Sequence, residues 1–137
     1  MFELNLDAVI GVLLATDLSA NGTTAEQAAI QLAAKAEQVD CLYVMELADS
    51  NATSVSSSTA NAALSALVQR IEAAGNHGDS YVLEGKASSE IARHAANRDA
   101  SLIVVGKRGQ NPLESLLIGS TAANLCEIAG RPVLVVP

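Results

Sequence analysis

Three glycines stand at a spacing that suits phosphate chemistry. Gly106, Gly109 and Gly119 form the pattern G-x2-G-x9-G, and Ser120 and Thr121 follow at once. Glycine lets the backbone take unusual dihedrals and lets a ligand come close. Exposed N–H groups at a helix start attract anions, and the helix dipole adds to the pull. Gly106 ends the apolar run SLIVV, and Gly119-Ser120 opens a helical pattern. Both flanks of the loop therefore suit an anion site. The Ser120 hydroxyl can cap the helix or bond a phosphate oxygen. Lys107 and Arg108 read either as a solvated loop tip or as a phosphate contact. Asp17 follows Ala15 and Thr16 at the end of the first apolar run, where it can accept hydrogen bonds from ribose hydroxyls. Glycines alone could serve simple turns. A crevice is favoured because, in open parallel sheets, ligands bind beyond the carboxyl ends of the strands where strand order reverses.

Other chemistry is poorly served. Gly85-Lys86 lacks the upstream Gly and following Ser or Thr of a P-loop. No G-x-G-x-x-G follows the first apolar run, and there is no G-x-S-x-G elbow. His77 and His94 stand alone without metal spacing, so both read as surface or helix-end residues. His94 is expected on a polar helix face beside Arg93 and Arg98. Glu114 and Asp99 read as solvated. Mg²⁺ is usually held by substrate phosphates with few protein carboxylates, so Mg²⁺ or Mn²⁺ could accompany a nucleotide without a dedicated cage. No catalytic residue is assigned, because no general base is evident near the loop. Cys41 and Cys126 form no C-x-x-C pair and read as small buried hydrophobes of a reducing compartment.

The elements that must position this loop alternate from end to end. Residues 8–15 (AVIGVLLA) are apolar without polar alternation, as in strands buried on both faces of a parallel sheet. Asp17, Ser19, Asn21 and Gly22 read as a turn. A helix is predicted over 23–38, with Thr23-x-x-Glu26 or Thr24-x-x-Gln27 as a capping box. The second strand is expected at 41–47 (CLYVMEL). Residues 49–58 read as a long polar connection, and a helix follows to about Ala74 on the face Ala60, Ala63, Leu64, Leu67, Val68 and Ile71. Gly75-Asn76-His77-Gly78 should stop it. Strands at 80–84, 101–105 and 133–136 alternate with helices at 88–97 and 120–129. The helix at 88–97 should bury Ile91, Ala92, Ala95 and Ala96. Leu116-Leu117-Ile118 is an apolar stretch inside the glycine loop. Five strands and four helices imply an α/β fold with a parallel sheet and right-handed crossovers.

Length and composition agree with one domain over residues 1–137. Half of the residues are apolar, with one Phe, two Tyr and no Trp, so Ala, Leu, Val and Ile build the core. The net charge of −7 argues against non-specific nucleic-acid binding, which needs a basic surface. No apolar run approaches a membrane span, and the first residues lack the shape of a signal peptide, so a cytoplasmic protein is expected.

Residues 99–137 (DASLIVVGKRGQNPLESLLIGSTAANLCEIAGRPVLVVP) resemble the C-terminal signature of the universal stress proteins, and VIGVLLATDLS at 9–19 resembles that family's opening strand. Residues 82–105 match its third strand, turn, helix and fourth strand. The G-x2-G-x9-G-[ST] pattern marks the nucleotide-binding branch. The resemblance implies an open five-stranded sheet in order 3-2-1-4-5 with helices on both faces, Rossmann-type and adenine nucleotide alpha-hydrolase-like. It implies ATP across the ends of the first and fourth strands. Asp17 would hold the ribose, and Val44 would border the adenine near Ala15 and Thr16. Gly106, Gly109, Gly119, Ser120 and Thr121 would line the phosphates, with Lys107 and Arg108 in the loop. It further implies a homodimer through Val133–Val136, an apolar edge that needs a cover. Asn111, Pro112 and Ala15 depart from common family residues without removing a phosphate donor. The function implied is an ATP-binding regulatory stress-response protein, a switch read by a regulated partner, with at most slow hydrolysis. The alternatives are a nucleotide-independent dimeric interaction module and a weak ATPase or nucleotidyl-transfer enzyme.

Overall fold

The computed structural model describes residues 11–18, 23–33, 38–46, 56–106 and 119–137. Its elements run β1 (Gly11–Ala15), α1 (Thr23–Ala33), β2 (Gln38–Met45), α2 (Ser57–Ala73), β3 (His77–Glu84), α3 (Ala87–Arg98), β4 (Leu102–Gly106), α4 (Ser120–Ile128) and β5 (Val133–Val136). The five strands form one sheet in the order β3-β2-β1-β4-β5, and every pairing is parallel. The expected architecture is therefore the observed one. Expectations for residues 8–10, the turn at 19–22, the connection at 49–55 and the loop at 107–118, with Leu116-Leu117-Ile118, lie outside the described residues.

Lack of polar alternation in β1 follows from burial on both sides. Val12 and Leu14 join Val39, Cys41, Tyr43, Leu102 and Val104 beneath Ala25 and Ala29 of α1 and Ala60, Leu64, Leu67 and Ile71 of α2. Leu13 and Ala15 join Leu42, Ile103 and Val105 beneath Ile91 and Ala95 of α3 and Ala122 and Leu125 of α4. Each fully buried Leu or Ile contributes about 1.5–3 kcal/mol of transfer free energy. Small residues on α1, Ala25 and Ala29, let that helix sit close to the sheet.

Local chemistry moved several boundaries. Ser56 caps α2, its Oγ accepting from the Thr59 amide at 3.3 Å, so residues 56–58 begin a helix rather than end a loop. Residue 38 opens β2 instead of closing α1. Val39, fully buried, draws this segment into the sheet opposite Val12. The end of α2 is a Schellman turn: Gly75, at φ +92°, donates to Glu72 O, and Asn76 donates to Ile71 O. His77 and Gly78 then enter β3 directly instead of extending the stop. Ala96 is exposed and Ala92 half-buried, which narrows the buried stripe of α3. Glu26 of α1 accepts from the Thr16 hydroxyl, and the capping boxes expected at Thr23 and Thr24 lie outside the described side chains.

Gly78 sets how closely α2 approaches β3. A Cβ there would stand 3.3 Å from Ile71 Cγ2 and 3.4 Å from Val68 Cγ1. Valine adds two further methyls against that wall. Gly78→Val is expected to destabilise the fold by about 1–3 kcal/mol in urea denaturation. An unchanged midpoint would show that α2 can shift at no cost.

Candidate functional site

The strand order reverses between β1 and β4, and the residues leaving these strands face one crevice by topology. Ala15 pairs with Leu42 on one side and Val105 on the other, and is buried. Thr16 is the last residue held by the sheet, its amide donating to Leu42 O at 3.0 Å. Its hydroxyl oxygen accepts from the Leu18 amide at 3.0 Å and donates to Glu26 Oε2 at 3.2 Å. The first bond closes a hydroxyl-based turn around Asp17, which is half-buried. Leu18 takes φ +62° within that turn.

On the other side of the reversal, Gly106 ends β4 opposite Val136. Gly119 is the N-cap of α4, and its carbonyl accepts from the Ala123 amide at 3.0 Å. Its dihedrals, φ −58° and ψ 152°, are open to any residue, so the backbone does not itself require glycine there. Glycine lacks a side chain, and no side-chain cap bond forms at this helix start. The starts of α2 and α3 are better supplied: Ser56 caps α2, and the Ala87 amide of α3 donates to Glu46 Oε1 at 2.7 Å. Ser120 is exposed and Thr121 half-buried in the first turn of α4. Val44, half-buried, packs with the cluster beneath α3 and α4 that also holds Ala15 and Val105. Lys107, Arg108 and Gly109 lie outside the described residues. Among the described residues, no group of three or more His, Cys, Asp or Glu could hold a metal ion. None of the described helices is long and apolar enough to cross a membrane.

A second polar centre went unread in the sequence. Asp40 of β2 is buried against α3. Its Oδ2 accepts from Arg98 Nε at 2.9 Å and lies 3.2 Å from His94 Nε2; its Oδ1 accepts from Gln38 Nε2 at 2.8 Å. Gln38 Nε2 also donates to Asp79 Oδ2 at 2.8 Å. The His94 ring lies 4.5 Å from the Tyr81 ring, and Arg98 stands over Tyr81. His94 is thus an interior residue, its side chain only 10% exposed, and not the surface residue expected. The readable signal was spacing: His94 and Arg98 share the i, i+3, i+4, i+7 stripe of Ile91 and Ala95. Burial by itself would raise the Asp40 pKa, but bonds from Arg98, Gln38 and His94 outweigh it and hold the carboxyl below its usual range. The other polar surprise is Cys126, exposed on α4, whereas Cys41 is buried as expected and burial pushes its thiol up to about 12.

A model of the universal stress protein family matches residues 11–137. The stress response protein NhaX of Bacillus subtilis is 41% identical over 59 residues, 43% of this chain and 36% of that protein. The matched stretch thus spans little more than a third of that relative. Among solved structures, hypothetical protein MJ0577 superposes with a TM-score of 0.83 at 23% identity, covering 93% of this chain and 95% of the other. The universal stress protein from Archaeoglobus fulgidus in complex with dAMP superposes with a TM-score of 0.69 at 22% identity, covering 93% and 98%. At these identities the superpositions establish a shared fold.

The Asp40 centre makes a prediction about acid stability. A depressed folded-state pKa means the ionised carboxylate contributes stability above the ordinary value of 3.8, lost as pH falls through the lower folded value. Asp40→Asn is expected to cost about 2 kcal/mol at pH 7. The gap between the two proteins should narrow below about pH 4. Equilibrium unfolding at stepped pH measures it, and a gap independent of pH would contradict the assignment.

Proposed function

Because the chain belongs to the universal stress protein family, we propose that it is an ATP-binding regulatory protein, a nucleotide-dependent switch in a stress response. The observation that supports this is topological: Asp17 follows β1 and Gly106 ends β4, the two neighbouring strands at which the sheet order reverses, and the next helix starts at Gly119, which has no side chain to cap it. On this reading Asp17 accepts from ribose hydroxyls, and Ala15, Thr16 and Val44 border the base and ribose. Gly106, Lys107, Arg108, Gly109, Gly119, Ser120 and Thr121 surround the phosphates. The dAMP complex of the A. fulgidus neighbour supports an adenine nucleotide as the ligand class. Glycine at 119, which its dihedrals do not demand, is explained by close approach of a phosphate. The donor set fits an anion: main-chain amides at a helix start supply positive potential in a chain of net charge −7. A divalent Mg²⁺ or Mn²⁺ would ride on the phosphates. Water attack on a phosphoryl group needs a residue that positions the water, and this reading assigns none, so hydrolysis is slow at most. A single cytoplasmic domain signalling to a protein partner completes the proposal.

A homodimer through β5 belongs to the same reading. β5 is an edge strand, and Leu134 on it is 39% exposed while Ile128 of the neighbouring α4 is 51% exposed. An apolar edge left open invites pairing with a second copy. Occupancy could then be reported through the loop at 106–120 or through the dimer that β5 forms.

Denaturing the purified protein should release an adenine nucleotide identifiable by mass spectrometry. ATP titrated into the stripped protein should bind with Kd well below about 1 mM, and Gly119→Val should weaken it at least about tenfold. No binding by the parent protein at that concentration would refute the nucleotide reading, while equal binding by both proteins would move the site elsewhere. For the dimer, Leu134→Glu should convert a dimer to a monomer in light scattering at matched concentration; an unchanged mass would exclude β5 as the interface.

A further inference from the structure

We propose that Thr16 and Glu26 are positioning residues that aim the Asp17 carboxylate at ribose, an inference resting on the ribose placement proposed above. Three observations converge. Leu18 holds φ +62°, a left-handed conformation that a branched, bulky side chain rarely takes. Strain of this kind persists only where the surroundings fix it, and it clusters at ligand sites. What fixes it here is visible: the Leu18 amide donates to Thr16 Oγ1 at 3.0 Å, and its side chain packs against the core beneath α1 and α2.

The Thr16 hydroxyl is in turn oriented. It carries one proton, and that proton goes to Glu26 Oε2 at 3.2 Å. With the proton directed at Glu26, a lone pair is left for the Leu18 amide. Glu26 comes from the first turn of α1 and faces Arg70 of α2, 3.7 Å away. Thr16 is itself buried, only 8% exposed. The turn that presents Asp17 is thus tied to β2 through the Thr16 amide, to α1 through Glu26 and to α2 through Arg70. Arg70 is half exposed, so water screens its share and Glu26 is the stronger anchor.

Loss of the hydroxyl would free Leu18 to leave the left-handed region. The peptide between Asp17 and Leu18 would rotate, and the carboxylate would move with it. The phosphate contacts, and the base contacts of Ala15 and Val44, do not depend on that turn. A positioning role therefore predicts a selective defect, one confined to recognition of the sugar hydroxyls. A merely structural role predicts a uniform loss for every nucleotide.

The test compares ATP with 2′,3′-dideoxy-ATP, which lacks both sugar hydroxyls, by calorimetric titration. The parent protein should prefer ATP by about tenfold, the worth of one or two hydrogen bonds to a charged acceptor. Asp17→Ala should abolish the preference. Glu26→Ala should lose most of it while holding the dideoxy affinity within about twofold, Thr16→Val should likewise lose most of it, and Thr16→Ser should keep it. Thermal unfolding confirms that each variant folds, and Glu26→Ala answers the question alone if Thr16→Val does not. A preference retained in both variants, or parallel loss for both ligands in Glu26→Ala, overturns the positioning role while leaving the nucleotide site standing. A parent protein that binds neither ligand, or an Asp17→Ala variant that keeps the preference, overturns the ribose assignment and this inference together.

Discussion

The arrangement of the molecule depends on β1 being enclosed. Its backbone is bonded to β2 on one side and β4 on the other, and Val12, Leu13, Leu14 and Ala15 are buried on both faces. A strand so enclosed can pack but cannot react, so chemistry is displaced to where the chain escapes the sheet. The crossover rule decides what lies nearby. From β1 the chain moves one way, through β2 to β3, with α1 and α2 on one face. It then returns across β1 to β4 and β5, and right-handed crossovers in the reversed direction require α3 and α4 to cover the other face. Reversal of order and change of face are one event, and the crevice between the ends of β1 and β4 is its consequence.

The two ends of the sheet carry different kinds of polar structure. Near the starts of β2 and β3, Asp40 is enclosed by donors from Arg98, Gln38 and His94, and Asp79 shares the Gln38 amide. Such a saturated centre has little capacity left for a ligand. Its effect is to lock the last turns of α3 over β2, because a shift of α3 would leave a buried carboxylate short of partners. At the opposite end, the polar groups of Asp17 and the first turn of α4 sit where chain leaves or rejoins the packed layers. Saturation fixes the frame, and the proposed site draws on the residues at the escaping ends.

Legibility in the sequence followed the same division. The strands were readable because enclosure demands uninterrupted apolar runs, as in LLA at the end of β1 and IVV in β4. β5 was readable to the residue because Pro132 and the chain's last apolar stretch bracket it. The Asp40 centre was not, because Gln38-Val39-Asp40 looks like a helix end when its partners are 54 and 58 residues away. Pairing across such a distance leaves no local periodicity on β2; only the α3 stripe, with His94 and Arg98 in register with Ile91 and Ala95, carried a trace. Cys126 misled in the opposite sense. The buried stripe of α4 runs through Ala122, Leu125 and Ala129, and Cys126 falls to its side. Of the proposed crevice, the glycine spacing and Asp17 stand in the sequence as residue types. The turn that presents Asp17 was not, because it depends on Thr16, Leu18 and Glu26 meeting in space.

The proposal that an acidic chain receives an anion poses an electrostatic question, and the helix starts bear on it. A net charge of −7 repels anions at long range, but in physiological salt that field fades within about 8 Å. Inside that distance, local dipoles decide. At α2 the Ser56 hydroxyl takes up the Thr59 amide, and at α3 the Glu46 carboxylate takes up the Ala87 amide. A carboxylate at α3 already supplies the negative charge that its dipole favours, so that end has little further appetite for an anion. At α4 the cap is glycine, which contributes neither charge nor oxygen from a side chain. The starts of α2 and α3 are thus supplied by side-chain oxygens, whereas the N-cap residue of α4, beside the reversal of strand order, supplies none.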